Sequence, residues 1–358
     1  MSLAQRNDCQ HNSKEILEGN DKIACRDLAL GILFLSQTVI GILGNFSLLY
    51  HYVFLHHRQS RLRFIDLILM HLCIANSLVI LSNGSSQTIV AFGSKYLFNE
   101  FGCHVTLYVF RVGTTMSICS VCFLSVFQTI IISPTNSCWK YHKIKSPKYI
   151  GFIISFCWLL HMGVNFIFPL YMLHASGKLE SRNITKERHL GFCAVVDYGT
   201  TMNSVYIALV VLPEVSLIVL TIWASGSTIF VLYRHKQQVK HIHCTNVSLR
   251  SPELRATKSI LLLASTFVTF YIISSIFHSF IALFYNLSWW LVNISCLISL
   301  CFPTISPFLV MSQDSSISVF WFVWIRNTKH LFSAEIYNCI FSRSFVLCTP
   351  QFIMKGTT

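Results

Sequence analysis

Long apolar runs alternate with short polar segments along the whole chain. A bilayer core about 30 Å thick is crossed by roughly 20 helical residues that rise 1.5 Å each. Seven runs reach that length, at about 28–52, 65–89, 104–132, 149–173, 205–233, 259–284 and 288–311. Runs this long without alternating polarity exclude barrel strands. The pattern therefore predicts an all-α membrane protein, a seven-transmembrane helix bundle over residues 28–311.

The charges of the connecting segments predict the orientation of this bundle. Cytoplasmic loops retain Lys and Arg during insertion. One alternating set of loops is strongly basic, with cations at Arg58, Arg61, Arg63, Lys140, Lys143, Lys145, Lys148, Arg234, Lys236, Lys240, Arg250, Arg255 and Lys258. The other set balances its cations with acids. We therefore expect residues 1–27 to form an extracellular N-terminus without a signal peptide, and residues 312–358 to form a cytoplasmic tail.

Composition agrees with a membrane location and argues against several other classes. The 358 residues are 53% hydrophobic and 11% charged, with a mean hydropathy of +0.58. The net charge of +13 would suit a nucleic-acid protein, but here the cations flank apolar runs, where they can also contact membrane lipid. No His-Glu-x-x-His run or other nucleophile, base or metal cluster stands out. We expect neither an enzyme nor a cofactor nor a nucleic-acid partner.

Two cysteines and one asparagine are predicted to be modified outside the cell. Cys103 precedes the third span and Cys193 lies in the loop before the fifth, both on the side where oxidation is permitted. A bridge between them would hold that loop over the mouth of the bundle; the alternative is two unpaired thiols. Asn183 begins an Asn-Ile-Thr acceptor triplet in the middle of the same loop, which predicts glycosylation.

Polar residues inside the spans are costly, so each is a candidate for function. Arg111 lies about two turns into the third span, and Glu214 follows Pro213 in the fifth. Arg111 has two compatible roles, an internal ion pair with Glu214 or contact with a polar ligand. Prolines within the spans predict local bends that would provide hinges; they are Pro169, Pro213, Pro303 and Pro307.

Several strings of residues resemble those of one receptor family. They are Gly41-Ile-Leu-Gly-Asn45, Leu62-Arg-Phe-Ile-Asp-Leu-Ile-Leu69, Leu72-Cys-Ile-Ala-Asn-Ser77, Ala91-Phe-Gly-Ser-Lys-Tyr96, Arg111-Val-Gly-Thr114, Trp223-Ala-Ser-Gly-Ser227, Tyr233-Arg-His-Lys-Gln-Gln-Val239, Arg255-Ala-Thr257 and Ser306-Pro-Phe308. Through Phe332 the chain resembles the vomeronasal type-1 (pheromone) receptors, a rhodopsin-like G protein-coupled family. The resemblance implies detection of pheromones or small volatile and semivolatile molecules, and coupling to a heterotrimeric G protein of the inhibitory class.

The chain departs from the wider rhodopsin-like class at three positions. Neutral Asn76 stands where that class has an acidic residue in the second helix. Phe127-Gln128-Thr129 replaces its Asp-Arg-Tyr signature, and Ser306-Pro307 replaces its Asn-Pro. Without the signature arginine, we expect other packing to separate the basal and active states. Bitter-taste detection is the nearest alternative function, and a small-solute transporter is an alternative from another class.

The predicted ligand cavity lies between the outer ends of the third, fifth, sixth and seventh helices. Its predicted lining residues are Arg111, Tyr108, Glu214, Phe277 and Phe284, with Phe110 and Trp290 as further aromatics. On the opposite side, Arg234, Lys236 and Lys240 are predicted to contact the G protein, although topology alone also accounts for their charge.

Overall fold

The computed structural model describes nine segments of the chain. These are residues 3–58, 64–93, 100–132, 147–179, 187–189, 194–196, 207–242, 252–283 and 289–312. The chain divides into two compact units, Met1–Val310 and Met311–Thr358. Nearly all described residues belong to the first unit, and the predicted tail lies almost wholly outside them.

Seven long helices make up most of the described part of the chain. They are α1 Leu3–Arg58, α2 Phe64–Ala91, α3 Glu100–Ile132, α4 Pro147–Leu179, α5 Leu212–Ile242, α6 Pro252–Leu283 and α7 Trp289–Met311. Two three-residue strands, β1 Glu187–His189 and β2 Ala194–Val196, pair antiparallel with Arg188 opposite Val195. The helical class agrees with the sequence. The strand pair was not predicted, because three-residue strands carry too few positions for an alternating pattern.

Six of these helices are long and apolar enough to cross a membrane. The qualifying stretches are Arg26–Phe54, Phe64–Ala91, Phe101–Ile132, Leu212–Arg234, Thr257–Phe277 and Trp290–Met311. In α4, the apolar stretch within the part of the chain described is the shorter Ile150–Phe166. The structure thus describes a helical membrane bundle with six such spans, and a seventh crossing by α4 stays a prediction.

The first helix begins much earlier than its apolar run. The sequence predicts the span from residue 28, whereas α1 starts at Leu3. Residues 3–27 contain no proline and one glycine, Gly19, so nothing in the sequence breaks the helix before its apolar part. The hydrophobic pattern located the span and missed this extension.

Large apolar side chains point outward from the described helices. Phe152 is 72% exposed, Leu159 67% and Trp223 66%. A soluble protein rarely exposes so many large apolar groups next to one another, whereas a bilayer solvates them. The interior instead contains small apolar clusters, such as Phe34, Val79, Ile80 and Leu300 from α1, α2 and α7.

The second helix contains one widened turn that fits against α1. Ile80–Gly84 forms a π-helical turn between α-helical segments. A Cβ at Gly84 would lie 2.5 Å from the Thr38 hydroxyl oxygen of α1. An alanine here would require the Thr38 side chain to shift, and the π turn brings this glycine against α1.

A side chain of α1 repairs the backbone of α7. Pro307 has no N–H, so the carbonyl of Pro303, four residues earlier, lacks its helical partner. The Asn45 amide nitrogen donates to that carbonyl at 2.9 Å and to the Gly41 carbonyl at 2.8 Å. Asn45 is fully buried. This asparagine thus ties α1 to the proline-broken segment of α7.

We expect Asn45→Ala to destabilise the bundle by about 1–3 kcal/mol, because it removes the amide donor 2.9 Å from the buried Pro303 carbonyl and leaves that carbonyl only the longer 3.4 Å contact from the Ser306 hydroxyl. Thermal unfolding of the detergent-solubilised protein measures the change. In a Pro307→Ala background the backbone N–H at residue 307 returns, and the same asparagine substitution should cost less. An equal cost in both backgrounds would contradict the repair role.

Candidate functional site

A buried ion pair joins the third and fifth helices. The Arg111 Nη2 lies 2.8 Å from the Glu214 Oε1. The Glu214 side chain is 5% exposed and that of Arg111 22%. Ions are costly in a bilayer unless they are paired, so this contact accounts for both charges at this depth. The internal pairing considered for Arg111 is therefore present.

Two hydroxyl groups complete the surroundings of the Glu214 carboxylate. The Thr115 hydroxyl of α3 donates to Oε1 at 3.1 Å, and the Tyr271 hydroxyl of α6 donates to Oε2 at 3.3 Å. Tyr271 also hydrogen-bonds with the Ser275 side chain one turn further along α6. His161 of α4 interacts electrostatically with the same carboxylate. We call Arg111, Thr115, Glu214 and Tyr271 the polar cluster; it connects α3, α5 and α6.

The residues around Pro213 explain how α5 presents Glu214 to the polar cluster. The π-helical turn Ile207–Val211 directly precedes α5, and Pro213 follows it. Proline cannot donate to the preceding turn, and a widened turn is one way in which a helix accommodates that loss. Glu214 is buried, while its neighbours Leu212 and Val215 are 59% and 46% exposed. The Glu214 carboxylate therefore faces the interior, unlike the side chains on either side of it.

The predicted aromatic lining is spread over several surfaces. Tyr108 donates to the Met162 carbonyl at 3.1 Å and packs edge-on against Phe166, so it lies against α4. Phe110 packs with the interior cluster of α1, α2 and α7. Phe277 is half-buried on α6, Trp290 is 54% exposed, and Phe284 lies outside the described residues. The structure thus brings Arg111 and Glu214 together but does not bring Tyr108 to them.

A network of neutral side chains surrounds Asn76, at the α2 position where the wider rhodopsin-like class has an acidic residue. The Asn76 amide nitrogen donates to the Ser306 hydroxyl at 2.8 Å, and the Ser117 hydroxyl donates to the Asn76 Oδ1 at 2.8 Å. All three side chains are buried. They join α2, α3 and α7 without a formal charge. Sequence reasoning singled out Asn76 and Ser306 but missed Ser117, since an isolated serine in a span has no distinguishing signal.

Hydroxyl groups also join α3 to α5 near the replaced arginine signature. The Thr129 hydroxyl is 2.9 Å from the Ala224 carbonyl and 3.0 Å from the Thr228 hydroxyl. Phe127 packs its ring against Phe64 of α2, with ring centroids 5.5 Å apart. These contacts are all neutral. That such packing separates the basal and active states stays a prediction.

The other predicted site residues are only partly within the described residues. Cys103 is disulfide-bonded, while Cys193 and Asn183 lie outside that part of the chain, so the pairing and the glycosylation stay predictions. Arg234 is exposed on α5. Lys236 and Lys240 fall on the same helix, but their side chains are not described.

Sequence comparisons relate this chain to one receptor family. Residues 28–323 match the profile of the vomeronasal organ pheromone receptor family. The chain is 49% identical to human vomeronasal type-1 receptor 2 over 83% of this chain and 75% of that protein. It is 45% identical to human vomeronasal type-1 receptor 4 over 85% of this chain and all of that protein. It is also 27% identical to the zebrafish (Danio rerio) olfactory receptor class A-like protein 1, over 79% and 89% of the two chains. With a profile match across the apolar runs and relatives of this identity, the chain belongs to the vomeronasal type-1 receptor family.

Proposed function

We propose that this multi-pass membrane protein is a seven-span G protein-coupled receptor for a pheromone or a small odorant-like molecule. Its N-terminus lies outside the cell and its tail inside. The ligand is mainly apolar, carries one polar group and binds beside the polar cluster. Binding shifts the bundle toward an arrangement that activates an inhibitory-class G protein.

The polar cluster is the observation that carries this proposal. It links α3, α5 and α6 through one carboxylate, and the Arg111 side chain retains 22% exposure. A ligand oxygen that accepts from Arg111 or Tyr271 competes with Glu214 for those donors. A change in the hydrogen bonds of the Glu214 carboxylate would therefore rearrange α3, α5 and α6 together. The ligand shifts the population only as far as it binds one arrangement better than the other.

The Thr129 contacts suggest how such a change reaches the cytoplasmic side. Thr129 holds α3 to α5 through the Ala224 carbonyl and the Thr228 hydroxyl. Each hydrogen bond of this kind contributes about 1 kcal/mol. A shift of α5 against α3 exchanges these bonds for others at small cost. In this receptor, small neutral contacts would separate the two states where related classes use an arginine.

We expect a cell line that expresses the chain with an inhibitory-class G protein reporter to respond to some of a panel of volatile steroids, acids and aldehydes. Arg111→Ala should abolish the response, and Tyr271→Phe should weaken it about fivefold through the loss of one hydrogen bond. Surface labelling confirms equal delivery of each variant.

Uptake of a small solute without any G protein response would favour the transporter alternative. A response only to bitter compounds would favour the bitter-taste alternative. Responses that are unchanged in both cluster variants at equal delivery would contradict a ligand site at the polar cluster.

We expect replacement of Arg234, Lys236 and Lys240 by Gln to reduce agonist-driven G protein activation several-fold, because these cations would present a basic surface to the G protein. Measurements at matched surface expression separate the loss of a G protein contact from a change in how the chain inserts into the membrane. Replacement of Lys140, Lys143 and Lys145 by Gln removes the same number of charges from another basic segment and serves as the matched control. Undiminished activation in the α5 variant would reject this contact.

A further inference from the structure

A groove between α5 and α6 opens from the bundle toward the lipid. It has a volume of about 400 Å³ and is lined by Val215, Ile218, Val219, Tyr271, Ile272, Ser275, Ile276 and Phe280. Its outer walls are half exposed, at 46% for Ile272 and 59% for Val219. A volume of this size is within the range of pockets that hold small organic ligands.

The lining is apolar except for two hydroxyl groups on α6. These belong to Tyr271 and Ser275, which hydrogen-bond with each other across one turn. None of the described lining residues carries a charge at neutral pH. The groove thus suits a long apolar body with one neutral oxygen.

The depth of the hydroxyl pair selects among molecules in the bilayer. Ser275 lies eight residues before the end of α6, which is about 12 Å of helix. A zwitterionic or charged headgroup would be costly at that depth. A single hydroxyl is much less costly there, because Ser275 and Tyr271 can hydrogen-bond with it.

The same hydroxyl pair connects the groove to the polar cluster. Tyr271 lines the groove and donates to the Glu214 Oε2 at 3.3 Å. Glu214 in turn pairs with Arg111 at 2.8 Å. Ser275 therefore lies two hydrogen bonds away from the ion pair, and a molecule that hydrogen-bonds with Ser275 lies three away.

We infer that the groove is a lateral binding site through which the receptor takes an uncharged, steroid-like alcohol from the bilayer. Its apolar body lies along α5 and α6, and its hydroxyl contacts Ser275 and Tyr271. This inference deepens the proposed function and rests on it, since it names the ligand class and its route to the polar cluster. Ligand selection would then depend on partition into the membrane as well as on contacts in the cavity.

Photolabelling tests the site without any signalling readout. Membranes that contain the full-length receptor are irradiated with a steroid alcohol that carries a diazirine and an alkyne, and the labelled peptides are mapped by mass spectrometry. We expect labels on the α5 and α6 segments that line the groove. The untagged alcohol should compete with the probe, whereas its charged sulfate ester should not.

Matched variants on α6 distinguish this groove from general lipid contact. Ile272→Trp fills the groove and should abolish labelling, while Leu262→Trp changes a similarly exposed residue, at 42% against 46%, outside the groove. Ser275→Ala should weaken competition by the alcohol about fivefold. Ser265→Ala removes an exposed hydroxyl that is 2.9 Å from the Leu262 carbonyl on the same helix, and should have no effect.

The outcomes separate the groove from the proposed function. Labels elsewhere, or labels that persist in Ile272→Trp, would overturn the lateral site. The proposed receptor function would then still be tested separately by the ligand screen. Specific groove labelling in a chain that activates no G protein with any ligand would uphold the site and reject the signalling role.

Discussion

Glu214→Gln is expected to be among the most damaging single substitutions in the bundle. It removes the carboxylate that lies 2.8 Å from the Arg111 guanidinium, so this cation loses its Glu214 counter-ion inside the membrane. Loss of one partner from a buried pair costs about 3 kcal/mol or more. Thermal unfolding in detergent and surface delivery in cells measure the loss.

The reverse substitution should be milder. Arg111→Met leaves Glu214 unpaired, but a carboxyl group can take up a proton and become neutral, whereas a guanidinium cannot. Thr115 and Tyr271 still hydrogen-bond with that group. We therefore expect Arg111→Met to unfold at a higher temperature than Glu214→Gln.

The double variant Arg111→Met with Glu214→Gln completes the cycle. With both ions removed, neither remains uncompensated, so this protein should be more stable than Glu214→Gln alone. It should nevertheless lose its ligand response. If the stability losses of the two single variants add up to the loss of the double variant, then Arg111 and Glu214, 2.8 Å apart, have no energetic coupling.

Gly113→Ala is expected to destabilise the bundle by about 1–3 kcal/mol, the range for overpacking of a close contact. A Cβ on this α3 glycine would lie 3.0 Å from the Ala75 carbonyl oxygen and 3.1 Å from the Val79 backbone nitrogen of α2. Backbone atoms cannot rotate away as the end of a side chain can, so α2 and α3 must separate. Loss of thermal stability and of surface delivery are the measurements.

Gly163→Ala is the matched control for this contact. Gly163 lies in α4, and among the described residues nothing is within 4 Å of the position that its Cβ would take. Alanine favours helix over glycine by up to about 1 kcal/mol, so this variant should be neutral or more stable. If both variants behaved alike, the close approach of α2 and α3 at Gly113 would not be the cause.

Some interior contacts were within reach of the sequence because they involve unusual residues. An arginine and a glutamate in two otherwise apolar spans have few ways to be neutralised, so their pairing is a short inference. Asn45 and Pro303 also stood out individually. Their contact did not, because it depends on which carbonyl of α7 is freed by Pro307 and on how far α1 and α7 are offset along their axes.

The sequence by itself determined the helical membrane class, six of the apolar spans and the family, because apolar length and local motifs are written along the chain. Only the tertiary structure decided that Thr115 and Tyr271 share the Glu214 carboxylate, that Ser117 meets Asn76, and that Tyr108 lies against α4. The physical reason is that the uniform hydrophobicity of a membrane helix scarcely marks which face turns inward. Helix rotation and axial register are decided by packing between distant segments, and those two quantities select each polar partner.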